Sequence, residues 1–230
     1  KVMTVTFFAW PFSRKGDGSF VSRLRDFHKS KAGQVFNSKA SQGPWRSRLL
    51  RTPDNVALIP WLRDRGSLTA RIQARGRFAV RVLRQGFGLP TADEARLLGI
   101  EPGVRAWVRE VALHCDEQCV VFAHTVLPYR PRGPLQLWLA RLGSGSLGAL
   151  LFSHPGFRRG KINYKRLDER HTLFASALGA LQLEEVEAGR LWARRSHFRF
   201  GTQSVLVTEV FSPRMLQLRE TNKKEAHAAS

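Results

Sequence analysis

The sequence predicts a single α+β domain built around a central antiparallel β-sheet. Five segments of the chain alternate apolar and polar residues with the period of two that a half-buried strand requires. Hairpin-like links join several of these segments and helical segments lie between them, a combination typical of α+β proteins. The predicted strands cover residues 77–84, 105–114, 119–127, 191–200 and 204–212.

Helix signals lie in the connections between these strands. Ser67 and Thr91 are side-chain caps for two helices, which end before Gly76 and Gly99. A short helical turn is predicted to begin at Gly145. The predicted helices cover residues 53–62, 67–75, 92–98, 135–142 and 167–189.

Composition divides the chain into three parts. Residues 1–50 are basic and rich in Gly and Ser without a sustained hydrophobic period, which predicts a disordered N-terminal extension. Residues 51–218 carry the periodic segments and form the predicted domain, and residues 219–230 form a polar C-terminal tail. The net charge of +20 favours an anionic partner but does not distinguish a nucleic acid from a small polyanion.

The sequence offers few signs of a nucleic-acid partner. No helix-turn-helix, zinc-finger or RNP motif is present, so no specific nucleic acid is expected. Arg194, Arg195 and Arg199 lie beside aromatic residues and could form a nucleic-acid surface. The alternative is a strand face that is solvated or paired with carboxylates.

Membrane and export signals were not found. No apolar run is long enough to span a bilayer, and none resembles a signal peptide, so a cytoplasmic location is expected. The protein is also expected to be a monomer. Cys115 and Cys119 flank a predicted turn at 116–118 and lack the spacing of a structural zinc site. Reduced thiols are therefore expected, with a cross-strand disulfide as the alternative.

Two charged residues are predicted to point toward the core. Alternation along W-V-R-E-V-A-L (107–113) places Arg109 on the face of Trp107 and Val111. Alternation along V-L-V-T-E-V-F (205–211) places Glu209 on an apolar face as well. A buried charge needs a partner or a ligand, because leaving it unpaired is very costly.

Two interpretations of this pair stay open from the pattern alone. Arg109 and Glu209 could form a mutual ion pair that organises the sheet. Alternatively, Arg109 could anchor the carboxylate of a small acid, since its planar fork binds two oxygens at once. Glu209 would then face a hydroxyl or ether oxygen as a hydrogen-bond partner or proton donor.

The known catalytic signatures are missing from the sequence. It contains no G-x-S-x-G elbow, no G-x-G-x-x-G loop and no Walker lysine loop. Its seven histidines lack metal-ligand spacing, and His124 is interpreted as a packed core residue. No metal site is therefore expected.

Six segments together resemble the bacterial chorismate pyruvate-lyase family. They occur in the family's order and extend over residues 55–213, whereas the first 50 residues have no counterpart. The matching segments are G-S-L-T-A-R-I (66–72), W-V-R-E-V-A-L (107–113), H-T-V-L-P (124–128), G-S-L-G-A-L-L-F (145–152), L-W-A-R-R-S (191–196) and L-V-T-E-V-F (206–211).

The resemblance implies a cofactor-independent lyase that converts chorismate to 4-hydroxybenzoate and pyruvate, the first step of ubiquinone ring synthesis. It implies that two helical flaps enclose the ligand, with Arg109 on the ring carboxylate and Glu209 at the oxygen on the opposite end of the ring. Leu68 and Leu147 would contact the ligand from the flaps. The position of Leu68 is often Met in the family, a change that conserves size. The segment 153–190 is longer than in the family's shortest members.

An alternative function, from another class of protein, is compatible with the same fold. It is a ligand-sensing effector domain of a transcription regulator, which would bind a small molecule without converting it. Such proteins normally carry a helix-turn-helix ahead of the fold, and residues 1–50 have too few periodic apolar positions to form one.

Overall fold

Six antiparallel strands form one sheet in the computed structural model, which describes residues 43–128, 145, 147–185 and 189–218. The order across the sheet is β1-β2-β3-β6-β5-β4, so the last hairpin of the chain lies in the middle. The strands are β1 (Phe78–Gly88), β2 (Ala106–Cys115), β3 (Gln118–Leu127), β4 (Arg158–Leu167), β5 (Leu191–Phe200) and β6 (Gln203–Phe211).

The five predicted strands are confirmed, and β4 is an addition that the sequence pattern did not indicate. Within β4 only Ile162, Tyr164 and Leu167 are buried, and the residues between them are mostly cationic. So few apolar positions do not show a clear alternation. The predicted helix over 167–189 is wrong at both ends, because Leu167 ends β4 and pairs with Leu191, and the helix spans only Phe174–Leu181.

The helices are short, and two of them begin where the predicted caps place them. The predicted helix over 53–62 is observed only over Ile59–Leu62. Ser67 accepts a hydrogen bond from the backbone N–H of Ala70, and Thr91 forms a capping box with Glu94. The predicted helix 135–142 and the cap Ser146 lie outside the described residues. The helices are α1 (Ile59–Leu62), α2 (Leu68–Gln73), α3 (Ala92–Leu98), α4 (Leu147–Ser153) and α5 (Phe174–Leu181), followed by a 3-10 turn at Pro213–Gln217.

Helices cover both faces of the sheet. On the first face, Leu62 of α1 and Ile72 of α2 belong to the apolar cluster that contains Val111 of β2. On the second face, Phe174 of α5 belongs to the cluster that contains Phe122 of β3. Because successive strand residues point to opposite faces, each central strand contributes to both clusters.

The chain joins this fold before the predicted domain boundary. Arg46 forms a β-bridge with Tyr164, and Leu49 is buried in the cluster of the first face. Residues 43–50 therefore differ from the disordered extension that was predicted for 1–50. Residues 1–42 and the predicted tail 219–230 lie outside the described part of the chain.

The two cysteines are buried and free, as expected for reduced thiols. In the hairpin of β2 and β3, Cys115 lies opposite Gln118 and Cys119 lies opposite His114. The two thiols are therefore not cross-strand partners. Burial raises the pKa of the Cys119 thiol to about 11, which keeps it protonated near neutral pH.

His124 forms a buried charged cluster on the second face of the sheet. Its Nδ1 lies 3.0 Å from an oxygen of Glu110, and its Nε2 lies 3.3 Å from an oxygen of Glu94 in α3. Burial acts to lower the pKa of His124, but the hydrogen bonds and charges of the two carboxylates outweigh it and raise the pKa to about 9. The core histidine predicted from the sequence is thus the cation that holds α3 against the sheet.

Replacing His124 with Gln should destabilise the fold by roughly 3–5 kcal/mol, because it leaves two buried carboxylates without a cation. The folded-state pKa of His124 is above its unfolded value of 6.5, so its stabilisation is complete below pH 6.5 and is lost as pH rises through about 9. Urea unfolding of the wild type should therefore show a decline across that interval that His124→Gln lacks.

His114→Gln is the matched control, since burial lowers the pKa of His114 and this group does not titrate between pH 6.5 and 9. The control should keep the wild-type decline. An identical pH profile for wild type and His124→Gln would show that His124 is neutral in the folded protein.

Candidate functional site

One enclosed cavity on the first face of the sheet contains all four predicted site residues. Its floor is formed by β1, β2, β3 and β6, and its roof by the first flap (residues 66–73) and the second flap (residues 145 and 147–153). Arg109 and Glu209 come from the floor, and Leu68 and Leu147 come from the roof. The remaining lining residues are Thr69, Val80, Val111, Leu113, Ala123, Thr125, Gly145, Gly148, Phe152 and Val207.

Arg109 lies at one end of this cavity and is almost fully buried. Its guanidinium donates hydrogen bonds to the side-chain oxygen of Gln85 and, at 3.2 Å, to the carbonyl of Gly145 in the second flap. Burial lowers the pKa of Arg109 from its usual value, yet an arginine keeps its charge at neutral pH. This end of the cavity therefore presents a cation to an incoming anion.

Glu209 lies at the other end and has a guanidinium partner that the sequence analysis did not predict. Its oxygens accept hydrogen bonds from Nε of Arg194 at 2.5 Å and from a terminal nitrogen at 3.3 Å. Arg194 also donates to the carbonyls of Trp61 and Asp64, at 2.8 and 2.7 Å, and its side chain has no exposed surface. The alternative in which Glu209 pairs with Arg109 is therefore wrong.

Strand register explains both the position of Glu209 and the missed partner. The observed turn at Gly201 and Thr202 places Arg194 directly opposite Glu209. The predicted turn was one residue longer, which would have brought Arg195 to that position instead. A slip of one residue turns every side chain of a strand to the other face, so hairpin register was the signal that could have found Arg194.

The two charged ends are far enough apart to hold a ring between them. Arg109 lies opposite Thr125, and Glu209 lies opposite Ala123, so they are two strands apart and offset by two residues. Strand spacing then gives a separation of roughly 12 Å between their Cα atoms. An aromatic ring with an acidic group at one end can span this interval.

The flaps are closed down on the cavity. Its volume is about 40 Å³, whereas a cavity that binds benzene measures roughly 150 Å³. Leu68 and Leu147 are buried, and each follows the G-S pair that begins its flap. In this closed arrangement the cavity is therefore smaller than an aromatic ligand.

A second, more open depression of about 530 Å³ lies between residues 47–50, the segment before the first flap and β4. Its lining combines four cations with an apolar floor and contains neither a carboxylate nor a histidine, so it offers no general acid or base of those types. None of the four predicted site residues belongs to it.

Two of the three arginines of β5 pair with carboxylates. Arg194 binds Glu209, and Arg195 binds Asp93 of α3 across the second face. Of the three arginines considered as a nucleic-acid surface, only Arg199 is exposed. The carboxylate-pairing alternative is confirmed for the other two.

Metal and membrane features were sought within the described residues. No group of three or more His, Cys, Asp or Glu side chains there is arranged to hold a metal ion. None of the described helices has the length and apolarity needed to cross a bilayer. The fold and the cavity define an α+β protein with an enclosed pocket, lined by a cation, between its sheet and two helical flaps.

This chain belongs to the chorismate lyase family, whose family model matches residues 46–220. It is 49% identical to a probable chorismate pyruvate-lyase of Dechloromonas aromatica, covering 76% of this chain and 97% of that protein. It is 48% identical to a probable chorismate pyruvate-lyase of Azoarcus sp., covering 78% and 95%. The resemblance found in six short segments is thereby confirmed along the whole domain.

More distant likenesses exist among solved structures. The effector domain of PhnF from Mycobacterium smegmatis is 16% identical, with a TM-score of 0.47, covering 64% of this chain and 89% of that one. The product of gene SA0254 from Staphylococcus aureus is also 16% identical, with a TM-score of 0.46, covering 70% and 96%. Similarity at this level carries no argument about function.

Replacing Arg194 with Met should lower the free energy of unfolding by roughly 3–5 kcal/mol, because a buried carboxylate loses its cation. Two backbone carbonyls ahead of the first flap lose their donor as well. Urea unfolding measures the loss. Arg199→Met, an exposed arginine on the same strand, is the control and should stay near the wild-type value.

A double variant tests the ion pair itself. Adding Glu209→Gln to Arg194→Met removes the orphaned negative charge and should recover part of the lost stability. Strict additivity of the two single losses would mean that the pair does not interact energetically.

Proposed function

We propose that this protein is a chorismate pyruvate-lyase, which releases pyruvate from chorismate and leaves 4-hydroxybenzoate. The observation that carries the proposal is the closed cavity of a chorismate lyase family member, with Arg109 at one end and the Glu209–Arg194 pair at the other. Its interior is otherwise mainly apolar, which suits a six-membered carbon ring.

The reaction balances without an external oxidant or reductant. The bond between ring carbon C3 and the ether oxygen breaks, and its electron pair leaves with the enolpyruvyl oxygen. C4 loses its hydrogen as a proton, and the electron pair left behind completes the aromatic ring. The methylene carbon of the released fragment gains a proton and becomes the methyl group of pyruvate.

Arg109 is proposed to hold the ring carboxylate of chorismate. Two of its acceptors, the amide oxygen of Gln85 and the carbonyl of Gly145, are neutral. A carboxylate forms stronger, charge-assisted hydrogen bonds with a guanidinium than such acceptors do. Because Gly145 belongs to the second flap, binding at Arg109 is linked to the position of that flap.

Glu209 is proposed to meet the oxygen on C4, at the end of the ring opposite the carboxylate. Its ion pair with Arg194 favours a role as hydrogen-bond acceptor for the C4 hydroxyl. Arg194 fixes the orientation of Glu209, so the acceptor is preorganised before substrate arrives.

The flaps are proposed to supply orientation and exclusion of water. Leu68 and Leu147 close over the ring from opposite flaps and reduce its freedom to adopt unreactive conformations. Aromatisation of the ring supplies the driving force for the reaction. Turnover then depends on flap opening, since a product enclosed in this way cannot leave before the flaps separate.

The direct test mixes the purified protein with chorismate and follows 4-hydroxybenzoate by its absorbance. Product should form well above the spontaneous rate. A folded protein that yields no product above that rate would overturn the proposed function. Binding of chorismate without conversion would instead favour the ligand-sensing effector domain.

Arg109→Gln should lower kcat/KM by roughly 10- to 100-fold, chiefly through a higher KM, because a charged hydrogen bond to the substrate is lost. Steady-state kinetics measure the effect. Arg199→Gln removes an exposed arginine on another strand and should leave both constants unchanged. Equal kinetics for Arg109→Gln and this control would return Arg109 to a structural role.

Glu209→Gln should act mainly on kcat, lowering it by roughly 10- to 100-fold, because the amide cannot supply the negative charge that faces the C4 hydroxyl. Glu101→Gln, at an exposed position outside the cavity, is the matched control. A Glu209→Gln variant that keeps the wild-type kcat would remove Glu209 from the chemistry.

A further inference from the structure

Arg159 is a largely buried cation that has no carboxylate partner among the described residues. Its Nε and one terminal nitrogen donate to the hydroxyl of Ser196, at 3.0 and 2.7 Å, and its other terminal nitrogen donates to the carbonyl of Arg65 at 2.9 Å. All of these acceptors are neutral. Burial, with the nearby charge of Arg194, lowers the pKa of Arg159 to about 10. A guanidinium in such surroundings is suited to receive an anion.

The position of Arg159 connects it with the cavity. Ser196 lies opposite Val207, which lines the cavity floor next to Glu209 in β6. The Arg159 guanidinium carbon is 5.2 Å from the ring centroid of Phe152, a lining residue from the second flap. Its acceptor on Arg65 directly precedes the first flap. One guanidinium therefore contacts the sheet, the second flap and the entrance to the first, at the Glu209 end.

Among the described residues, the charges at this end of the cavity do not balance. The guanidiniums of Arg159 and Arg194 both lie near the carboxylate of Glu209. Both oxygens of that carboxylate already accept hydrogen bonds from Arg194. The other nearby acid, Asp64, forms its ion pair with Arg71 at 3.1 Å. One positive charge at the Glu209 end is thus left for a ligand to compensate.

The substrate proposed above carries a matching charge. Chorismate has two carboxylates, one on the ring and one on the enolpyruvyl group at C3. With the ring carboxylate at Arg109 and the C4 hydroxyl at Glu209, the neighbouring C3 substituent lies at the Glu209 end. We infer that Arg159 binds the enolpyruvyl carboxylate and so distinguishes substrate from the aromatic product. This inference rests on the proposed function.

The exchange of partners is physically reasonable. A carboxylate offers two charged oxygens to the planar fork of an arginine, whereas Arg159 now holds a hydroxyl and one backbone carbonyl. After cleavage the second carboxylate belongs to pyruvate, and 4-hydroxybenzoate has no group for Arg159. The contribution of Arg159 to binding is therefore specific to the substrate. It is lost once the substrate has been cleaved.

The test compares substrate and product on the same variants. Arg159→Gln should raise the KM for chorismate by roughly 10- to 100-fold, as expected for the loss of a charged hydrogen bond. Its dissociation constant for 4-hydroxybenzoate should change by less than about threefold, because the product lacks the second carboxylate. Arg159→Lys keeps the charge and should recover part of the KM.

Arg158→Gln, at the exposed neighbouring position, is the control and should change neither constant. Circular dichroism and urea unfolding establish whether each variant is folded. If Arg159→Gln does not fold, the same comparison of KM and product binding is made with Arg159→Lys. Equal losses of substrate and product binding would assign Arg159 to flap structure and overturn the inference. Unchanged binding of both would overturn it as well.

The inference can fail separately from the proposed function. If the wild type binds chorismate but does not convert it, the lyase proposal fails. Dissociation constants of wild type and Arg159→Gln for chorismate and 4-hydroxybenzoate then still test Arg159. If the wild type is active and Arg159→Gln loses no preference for chorismate over the product, only the role of Arg159 is wrong.

Discussion

The buried guanidinium of Arg194 is the interaction on which the site depends. It holds Glu209 on the neighbouring strand and the carbonyls of Trp61 and Asp64 ahead of the first flap. A buried cation is tolerated only when its donors are satisfied, so these three parts of the chain must adopt one arrangement together. The hydrogen bonds of Arg194 stabilise the central hairpin. They also position the carboxylate of Glu209 in the cavity and fix where the first flap begins.

The sheet separates ligand chemistry from structural chemistry by its alternation. In β2, Arg109 faces the cavity while the next residue, Glu110, faces the second side and binds His124. In β5, Arg194 faces the Glu209 end while Arg195 faces Asp93 of α3. Adjacent residues of one strand thus have different roles. These charged side chains, on each face of the sheet, bind groups from another strand, helix or flap.

Much of the fold could be predicted because its signals are local. Alternation located five strands, and the caps at Ser67 and Thr91 located two helices. β4 was missed because few of its residues are apolar, and its place at the sheet edge comes from pairing with β5 and with residue 46. The start of the domain was placed too late for a similar reason, since Leu49 is buried only by contacts that are distant in sequence.

The sequence by itself determined which way Arg109 and Glu209 point, because the direction of a strand residue follows from its neighbours, and it also indicated the two flap leucines. Only the tertiary structure decided the partners. Arg194 reaches Glu209 through a hairpin register that differs by one residue from the predicted one, and Arg159 reaches the same end of the cavity across β5. Direction is a property of the local backbone, whereas partnership depends on register and packing between segments far apart in the chain.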